Sequence, residues 1–442
     1  MNTNNVVLEE VEGKIDTSLQ EGVLFSDELQ KEIKDKFYNV DSDPLREGKR
    51  IYFDNAGGAF RLKSALNSYN KIDSLPDCPE RVHKTALYLQ KIQDDGIQDI
   101  RTIFNAKDGS IHTTLTASQA MFDMVGAVAE NVPGTNIVTT VLEHPSAYDA
   151  AVYYAQKTGK ELRPVKTNPI TGGVDIEEIV KNIDCNTCLL SFMYASNISG
   201  AILDAEAIVK AARAKKPDLY IIIDAVQHAP HGVIDIDNLK VDGMNIAPYK
   251  FFGNRGSGIA YVSDRLSKLR HHTLLAKPEG TWELGSPAPS QFIAITEIVN
   301  YVCWLGGKFI ESNDRRELFV EGMNRIKMHE RALMNRMLNG SDVIEGLRDM
   351  DGVSVYLDYH DMTTRDFIVA MGIDKLGFTE AVRAYEREGI IVYERINSSL
   401  YSKRMLDSFN MEGAIRVSPL HCNNIKDIDD FLITTKKLAQ EK

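Results

Sequence analysis

The sequence predicts an α/β fold, with a large domain around a mostly parallel sheet and a smaller α+β unit after it. Between residues 136 and 224, helical patterns alternate with the apolar runs NIVTTV, LRPVK, CLLSFMY and YIIID. Such alternation is typical of parallel strands joined by right-handed crossovers. After about Val302 the pattern changes to one long amphipathic helix and then to mixed strands and helices. We predict a helical arm over 1–45, a large domain over 46–310 and a small domain over 311–442.

The composition is typical of a globular protein and argues against two kinds of partner. Of 442 residues, 43% are hydrophobic and 26% charged, and 63 acidic against 51 basic side chains give a net charge of −12. A nucleic-acid partner would select a basic surface, and no stretch approaches the roughly 18 apolar residues of a membrane span. The polar start MNTNNVVLEEVEGK predicts no signal peptide. Five cysteines in so long a chain do not indicate a disulfide framework, so we expect a reduced, cytoplasmic protein.

Cys185 and Cys188 form a CxxC pair, a pattern found in metal and redox sites. No second pair or histidine cluster accompanies it, and Cys188 begins an apolar strand. We predict incidental burial and no metal site, with a redox role as the less favoured alternative.

The stretch from Tyr220 to Ser263 carries the strongest chemical signal. Apolar residues run into Asp224, and Lys250 follows after another apolar segment, just before a glycine-rich turn. Asp224 would lie at the carboxyl end of a strand, where open α/β sheets form their ligand crevice. A buried carboxylate and a buried amine are costly unless something pairs them. Pyridoxal 5'-phosphate (PLP) uses both, because it takes a lysine as a Schiff base and an aspartate as partner of its pyridinium nitrogen.

The motifs DAVQ, from Asp224 to Gln227, and APYKFFGNRGSG, from Ala247 to Gly258, resemble the core of the class V aminotransferase family. That family includes cysteine desulfurases, selenocysteine lyases and isopenicillin-N epimerase-like enzymes, and the resemblance covers nearly the whole chain beyond about residue 45. It implies PLP fold type I, with a mostly parallel sheet of the seven-stranded type between helices. It also implies that Lys250 holds the cofactor and that Gln227 binds its phenolic oxygen.

Four further residues are candidates for the catalytic and substrate-binding site. His144 and Asn197 follow predicted strands, and the resemblance places His144 against the cofactor ring and Asn197 on the substrate carboxylate or the cofactor oxygen. Asn55, in a turn by its sequence alone, would line the substrate pocket. Arg416 stands inside an apolar strand, and a buried arginine needs a fixed anion. An ion pair would satisfy it, but the resemblance favours the substrate α-carboxylate.

The phosphate end of the predicted site departs from the family pattern. The family's phosphate loop corresponds to Ala117, Ser118 and Gln119, at the start of a strong helix whose free N–H groups suit an anion; ordinary capping is the alternative. The desulfurases have Ser-Gly-His before the lysine, whereas this chain has Ala-Pro-Tyr, in which only the Tyr249 hydroxyl can bind phosphate. Ser286 resembles a residue that reaches the phosphate of the neighbouring subunit, which implies a homodimer with shared active sites.

These features predict a PLP enzyme that acts on an α-amino acid through an external aldimine, most similar to desulfurases and selenocysteine lyases. The reaction would be loss of a C–S, C–Se or related β- or α-substituent, with C–C bond formation as a variant. Desulfurases carry a nucleophilic cysteine in an Arg-x-Gly-x-His-Cys pattern, but counting from Gly389 places Ser398 there. A serine side chain has no thiolate with which to accept sulfur, so we predict that the enzyme forms no persulfide. An epimerase or aminotransferase of the same family, and a non-catalytic binding protein, remain alternatives.

Overall fold

A computed structural model describes residues 13–45 and 47–440, so the first twelve residues of the predicted arm lie outside the described part. The helices are α1 (Asp27–Asp35), α2 (Lys63–Asp73), α3 (Lys84–Phe104), α4 (Ala117–Asn131), α5 (Pro145–Thr158), α6 (Ile176–Lys181), α7 (Ala205–Lys215), α8 (Ile236–Leu239), α9 (Asp264–Ser267), α10 (Pro289–Gly306), α11 (Arg315–Asn339), α12 (Phe378–Arg387), α13 (Leu400–Ser408) and α14 (Ile425–Gln440). The strands are β1 (Ile51–Tyr52), β2 (Ser110–Thr114), β3 (Asn136–Thr140), β4 (Glu161–Val165), β5 (Thr187–Met193), β6 (Tyr220–Asp224), β7 (Gly243–Ile246), β8 (Gly258–Val262), β9 (Val353–Tyr356), β10 (Val369–Ile373), β11 (Ile390–Ile391), β12 (Tyr393–Ile396) and β13 (Gly413–Val417).

A seven-stranded sheet in the order β2-β8-β7-β6-β5-β3-β4 forms the centre of the larger part of the molecule. Strands β7, β6, β5, β3 and β4 pair in parallel, and β8 runs antiparallel to both of its neighbours. The predicted α/β class with a mostly parallel sheet is therefore confirmed. The carboxyl ends of β3, β5, β6 and β7 meet at one edge, so the residues that follow these strands are brought together there.

Both faces of this sheet are covered by helices, because its strands are apolar on both sides. On one face, α4 and α5 bury Met121, Val125 and Ala151 against Ile222 of β6. The opposite face is covered by a larger core to which α7 and α10 contribute. Full burial of one large apolar side chain contributes about 1.5–3 kcal/mol, so these layers hold the site edge firmly in place. Among the described residues, no helix combines the length and apolar character needed to cross a bilayer.

The C-terminal part contains a four-stranded antiparallel sheet in the order β12-β13-β10-β9. Helix α11 joins it to the rest, because the first half of α11 packs into the large core and the second half into the C-terminal core. The side chain of Asp314 caps this helix by accepting from the Glu317 amide, and Gly340 ends it with a positive φ of 68°. Strand β1, which we predicted at the start of the large domain, pairs in parallel with β11 of the C-terminal part.

Buried polar pairs connect the two parts close to the site edge. His228 contacts Asp366 at 2.9 Å, and His231 contacts Glu330 at 2.7 Å. Burial alone would raise the pKa of Glu330, but the His231 charge overrides it and lowers that pKa to about 2. A buried pair of this kind stabilises only while both partners are present, so it fixes α11 against the segment after β6.

Candidate active site

Asp224 and Lys250 lie beside each other beyond the carboxyl edge of the sheet. Asp224 is the last residue of β6, and Lys250 ends a 3₁₀ turn, Pro248–Lys250, that follows the neighbouring strand β7. Both side chains are buried, and both line a cavity of about 370 Å³. Burial, followed by the positive charge of Arg416, lowers the pKa of Lys250 to about 8, against the opposing influence of Asp224. The Lys250 amine is therefore prepared to act as a nucleophile and a base near neutral pH.

His144 caps α5 at the end of the loop after β3 and lines the same cavity. Its Nδ1 accepts from the Ser146 amide at 3.2 Å and lies 2.7 Å from the Ser146 hydroxyl. Burial, followed by the charge on Lys250, lowers the pKa of His144 to about 3. A neutral ring whose Nδ1 is an acceptor carries its proton on Nε2, so His144 can exchange a proton through Nε2.

Glu143, the residue before His144, is fully buried at the ends of β3 and β5. Its Oε1 accepts from the Thr140 hydroxyl at 2.7 Å and from the Met193 amide at 3.0 Å. Burial raises the pKa of Glu143 to about 8, and the Asp224 charge adds to the effect. A neutral carboxylic acid thus joins the two strand ends and fixes the start of the His144 loop.

Two amide side chains in the cavity have buried oxygen atoms without a partner. Asn197 follows β5, Gln227 follows β6, and neither Asn197 Oδ1 nor Gln227 Oε1 has a hydrogen-bond partner. Buried polar atoms are almost always paired, so these atoms indicate a polar ligand. Together with the Lys250 amine and the Asp224 carboxylate, they fit the amine-reactive aldehyde, ring nitrogen and phenolic oxygen of PLP.

The phosphate end of the cavity has its own set of donors. Ala117 and Ser118 begin the fifteen-residue helix α4, and Thr116 caps it by accepting from the Gln119 amide. Ser257 is buried, and its Oγ has no partner. The Arg255 guanidinium lies 4.4 Å above the Tyr249 ring, and both side chains line the cavity. A helix N-terminus, hydroxyl groups and a guanidinium suit a phosphate, so Arg255 and Ser257 are candidates for the donors that the chain lacks in place of Ser-Gly-His.

Arg416 is buried and forms an ion pair with a residue of the chain itself. Its Nη2 donates to Asp54 at 2.6 Å, and its Nη1 donates to the Asn197 backbone oxygen at 3.3 Å. Its Nε has no partner. The structure therefore contains the ion pair that the sequence left as an alternative, while Arg416 still contacts the Asn197 loop next to the cavity.

Four candidate residues are not among those that line the Lys250 cavity, namely Asn55, Gln119, Ser286 and Arg416. The Asn55 amide donates to the carbonyls of Tyr52 and Ser418, and its oxygen accepts from the Phe60 amide, so Asn55 fixes a turn. Both N–H donors of Asn55 are thus used within the chain, and its predicted role in the substrate pocket stays a prediction. Gln119 and Ser286 line a neighbouring cavity of about 510 Å³.

The sequence interpretation missed Arg255, Ser257, Arg395 and Glu143. The first two stand in the glycine-rich turn just after Lys250, so their proximity to the lysine was a usable signal. No neighbouring residue in the sequence indicated that Arg395 is buried beside a second arginine, because that arginine belongs to another strand, β13. The predicted incidental burial of the CxxC pair holds for Cys188 but is wrong for Cys185, which is exposed. The described residues hold no group of three or more His, Cys, Asp or Glu side chains placed to bind a metal.

Comparison with known proteins identifies the family. The fold and site define an enzyme that acts on amino acids with PLP. The family model "Aminotransferase class-V" matches residues 51–431, and the chain therefore belongs to the class V aminotransferase family. Its members use PLP as cofactor, as the residues around Lys250 require.

The relatives and the structural neighbours agree. The chain is 27% identical over 357 residues to probable cysteine desulfurase 2 of Mycobacterium leprae, which covers 72% of this chain and 84% of that protein. It is 29% identical over 231 residues to cysteine desulfurase IscS of Buchnera aphidicola, and this match covers 50% of this chain and only 56% of that protein. The cysteine desulfurase structure from Thermococcus onnurineus gives a TM-score of 0.75 at 19% identity, covering 88% of this chain and 95% of that chain. That identity shows the fold alone.

Proposed function

We propose that this chain is a PLP-dependent lyase that removes a β- or related substituent from an α-amino acid without forming a persulfide on its own cysteines. The observation that carries the proposal is the Lys250 cavity. It combines an amine of lowered pKa, a carboxylate for the ring nitrogen and a neutral histidine, and no cysteine lines it.

Each residue of the proposed site has a separate chemical role. Lys250 holds the cofactor and, once released by the substrate amine, moves a proton at the substrate Cα. Asp224 keeps the ring nitrogen protonated, and bound PLP supplies the electron sink for the bond that is broken. His144 exchanges a second proton through Nε2. Arg416 and Asn197 orient the substrate α-carboxylate.

The positions of the cysteines support a reaction without an enzyme persulfide. Cys185 and Cys188 lie at the start of β5, at the opposite end of that strand from Asn197. Seven residues of strand span roughly 20 Å, too far for either thiol to reach the site edge. Cys303 and Cys422 are buried, and burial raises the pKa of both thiols. Serine stands at position 398, and its hydroxyl is a poor sulfur acceptor.

We further propose a homodimer with shared active sites. The neighbouring 510 Å³ cavity contains Ser286 and shares Leu115, Gly256 and Ser257 with the Lys250 cavity. Leu115 and Leu284 line this cavity and are exposed, and Leu274 and Leu275, which lie in the chain between its lining residues His272 and Trp282, are exposed as well. Such a patch is typical of an interface, and light scattering of the purified protein should give twice the chain mass.

The test uses the holoenzyme and two matched variants. Borohydride reduction followed by peptide mass mapping should tag Lys250, and Lys250→Ala should lose both the visible absorption band and turnover. Cys78→Ser/Cys185→Ser, which removes both exposed thiols, should keep full activity. Products are identified as sulfide, selenide, alanine, keto acid or D-amino acid. A persulfide-bearing peptide, or loss of activity in the double variant, would contradict the proposal; keto acid or D-isomer as the sole product would favour the aminotransferase or epimerase alternative.

A further inference from the structure

Two buried arginines lie side by side on one face of the C-terminal sheet. Strands β12 and β13 pair so that Tyr393 is opposite Arg416 and Arg395 is opposite Ala414. Arg395 and Arg416 are therefore diagonal neighbours on the same face, which typically places their Cα atoms roughly 7–8 Å apart. Their exposed fractions are only 7% and 3%. The sheet thus presents two adjacent buried positive charges.

Arg395 differs from the other buried arginines of the described residues by its poor hydrogen bonding. Arg325, Arg365 and Arg416 each contact a carboxylate, at 2.6, 2.9 and 2.6 Å. Arg331 donates to two carbonyls at 2.8 and 2.6 Å. Arg395 has one contact, from Nη2 to the Tyr401 carbonyl at 3.4 Å, and its Nε has no partner. Within the described ranges, no carboxylate lies within ion-pair distance of Arg395.

Arg395 shares its face of the sheet with Arg416, whose Nη1 donates to the backbone oxygen of Asn197, a residue that lines the Lys250 cavity. Burial, followed by the charge of Arg416, lowers the pKa of Arg395 to about 10. Arg395 and Arg416 in turn both lower the pKa of Lys250 and of His144. The Asp54 carboxylate acts on both guanidiniums but already pairs with Arg416. An uncompensated buried charge is costly, so the arrangement calls for one more anion beside Arg395.

We propose that Arg395 binds a second anionic group of the substrate, so that the enzyme acts on an acidic amino acid. The α-carboxylate contacts Arg416 and the Asn197 loop, and the side-chain carboxylate takes the free Nε and Nη donors of Arg395. A planar guanidinium fork matches a carboxylate with two parallel hydrogen bonds. This inference rests on the proposed function and assigns a substrate class to the same site.

The first experiment compares acids with their amides on the wild-type holoenzyme. Aspartate, asparagine, glutamate, glutamine and alanine are titrated, and binding is followed by the change in the visible band. We expect an acidic amino acid to bind at least about 10-fold more tightly than its amide, the usual gain from one hydrogen bond to a charged group. Maleate, which lacks an amine, should compete at lower concentration than butyrate. Equal binding of acids and amides would overturn the inference.

The second experiment changes the arginine. Arg395→Met should weaken binding of the preferred acid about 10- to 100-fold and leave alanine binding unchanged, and Arg395→Lys should restore part of the loss. Arg383→Met is the matched control, because it removes the same charge from the exposed face of α12. If Arg395→Met weakens alanine as much as the acid, Arg395 is structural and the inference is wrong. If Arg395→Met does not fold, the wild-type series decides.

The proposed function and the role of Arg395 can be contradicted independently of each other. A wild-type protein that forms no visible band with PLP contradicts the proposed function itself. A protein that forms the band and turns over uncharged amino acids without preference for acids keeps the proposed function and contradicts only the role of Arg395.

Discussion

The lowered pKa of Lys250 makes a quantitative prediction about how the apoprotein takes up its cofactor. An amine attacks an aldehyde only in its neutral form. At pH 7 an amine with a pKa of about 8 is neutral in about 9% of molecules, whereas one at the ordinary value of 10.5 is neutral in only ~0.03%. Lys250 should therefore react about 300-fold faster at pH 7 than an otherwise identical solvated lysine.

The assay is stopped-flow mixing of apoprotein with PLP, with the growth of the visible band recorded between pH 6.5 and 10. We expect the second-order rate constant to rise about tenfold per pH unit and to level off near pH 8. Arg416→Gln removes the largest cause of the low pKa after burial, so the levelling point should move to higher pH. Arg383→Gln, on the exposed face of α12, should leave it unchanged. A rate that keeps rising tenfold per unit to pH 10 in the wild type would refute the reasoning.

Three further predictions concern the surroundings of the lysine. The pKa of Glu143 is raised from its ordinary 4.5 to about 8, so the stability that Glu143 contributes is full below pH 4.5 and is lost as the pH rises through 8. The free energy of unfolding of Glu143→Gln, measured in urea, should therefore rise relative to that of the wild type by up to about 4 kcal/mol between pH 5 and pH 8. An equal difference at both pH values would contradict this. A Cβ at Gly258 would lie 2.2 Å from the Ala117 amide nitrogen. Gly258→Ala should therefore displace the start of α4, lower the free energy of unfolding by about 1–3 kcal/mol and weaken PLP binding. Gly173→Ala is the control and should have none of these effects, because the nearest atom to its added Cβ lies at 3.6 Å. Arg255→Gln should weaken binding of PLP about 10-fold, as measured by equilibrium dialysis, and Arg255→Lys should retain most of it; no change in the glutamine variant would show that Arg255 does not hold the phosphate.

Local patterns were sufficient for the elements of the fold. Apolar spacing in the sequence predicts helices over 205–214, 313–338 and 425–440. The structure has these helices at Ala205–Lys215, Arg315–Asn339 and Ile425–Gln440. Such segments are set by apolar spacing and by capping residues next to them in the chain. The pairing of β1 with β11 was not predictable in this way, because its partners lie more than three hundred residues apart.

The candidate site likewise has a part that the sequence predicted and a part that it did not. Asp224 ends a strand of the parallel sheet, and His144 and Asn197 follow two others. The carboxyl ends of parallel strands meet at one edge, so the meeting of these residues was predictable. The contacts of Asn55 were not predictable in this way, because its amide donates to Tyr52 and Ser418, and the second of these contacts crosses most of the chain.

The sequence by itself determined the order of strands and helices, the pairing of an aspartate with a lysine, and through them the cofactor and the family. Only the tertiary structure decided that Arg255 and Ser257 line the Lys250 cavity, that Asp54 pairs with Arg416, and that Arg395 is buried without a carboxylate partner among the described residues. The physical reason is that burial and charge compensation depend on every side chain within a few ångströms, and most of those neighbours are remote in the sequence.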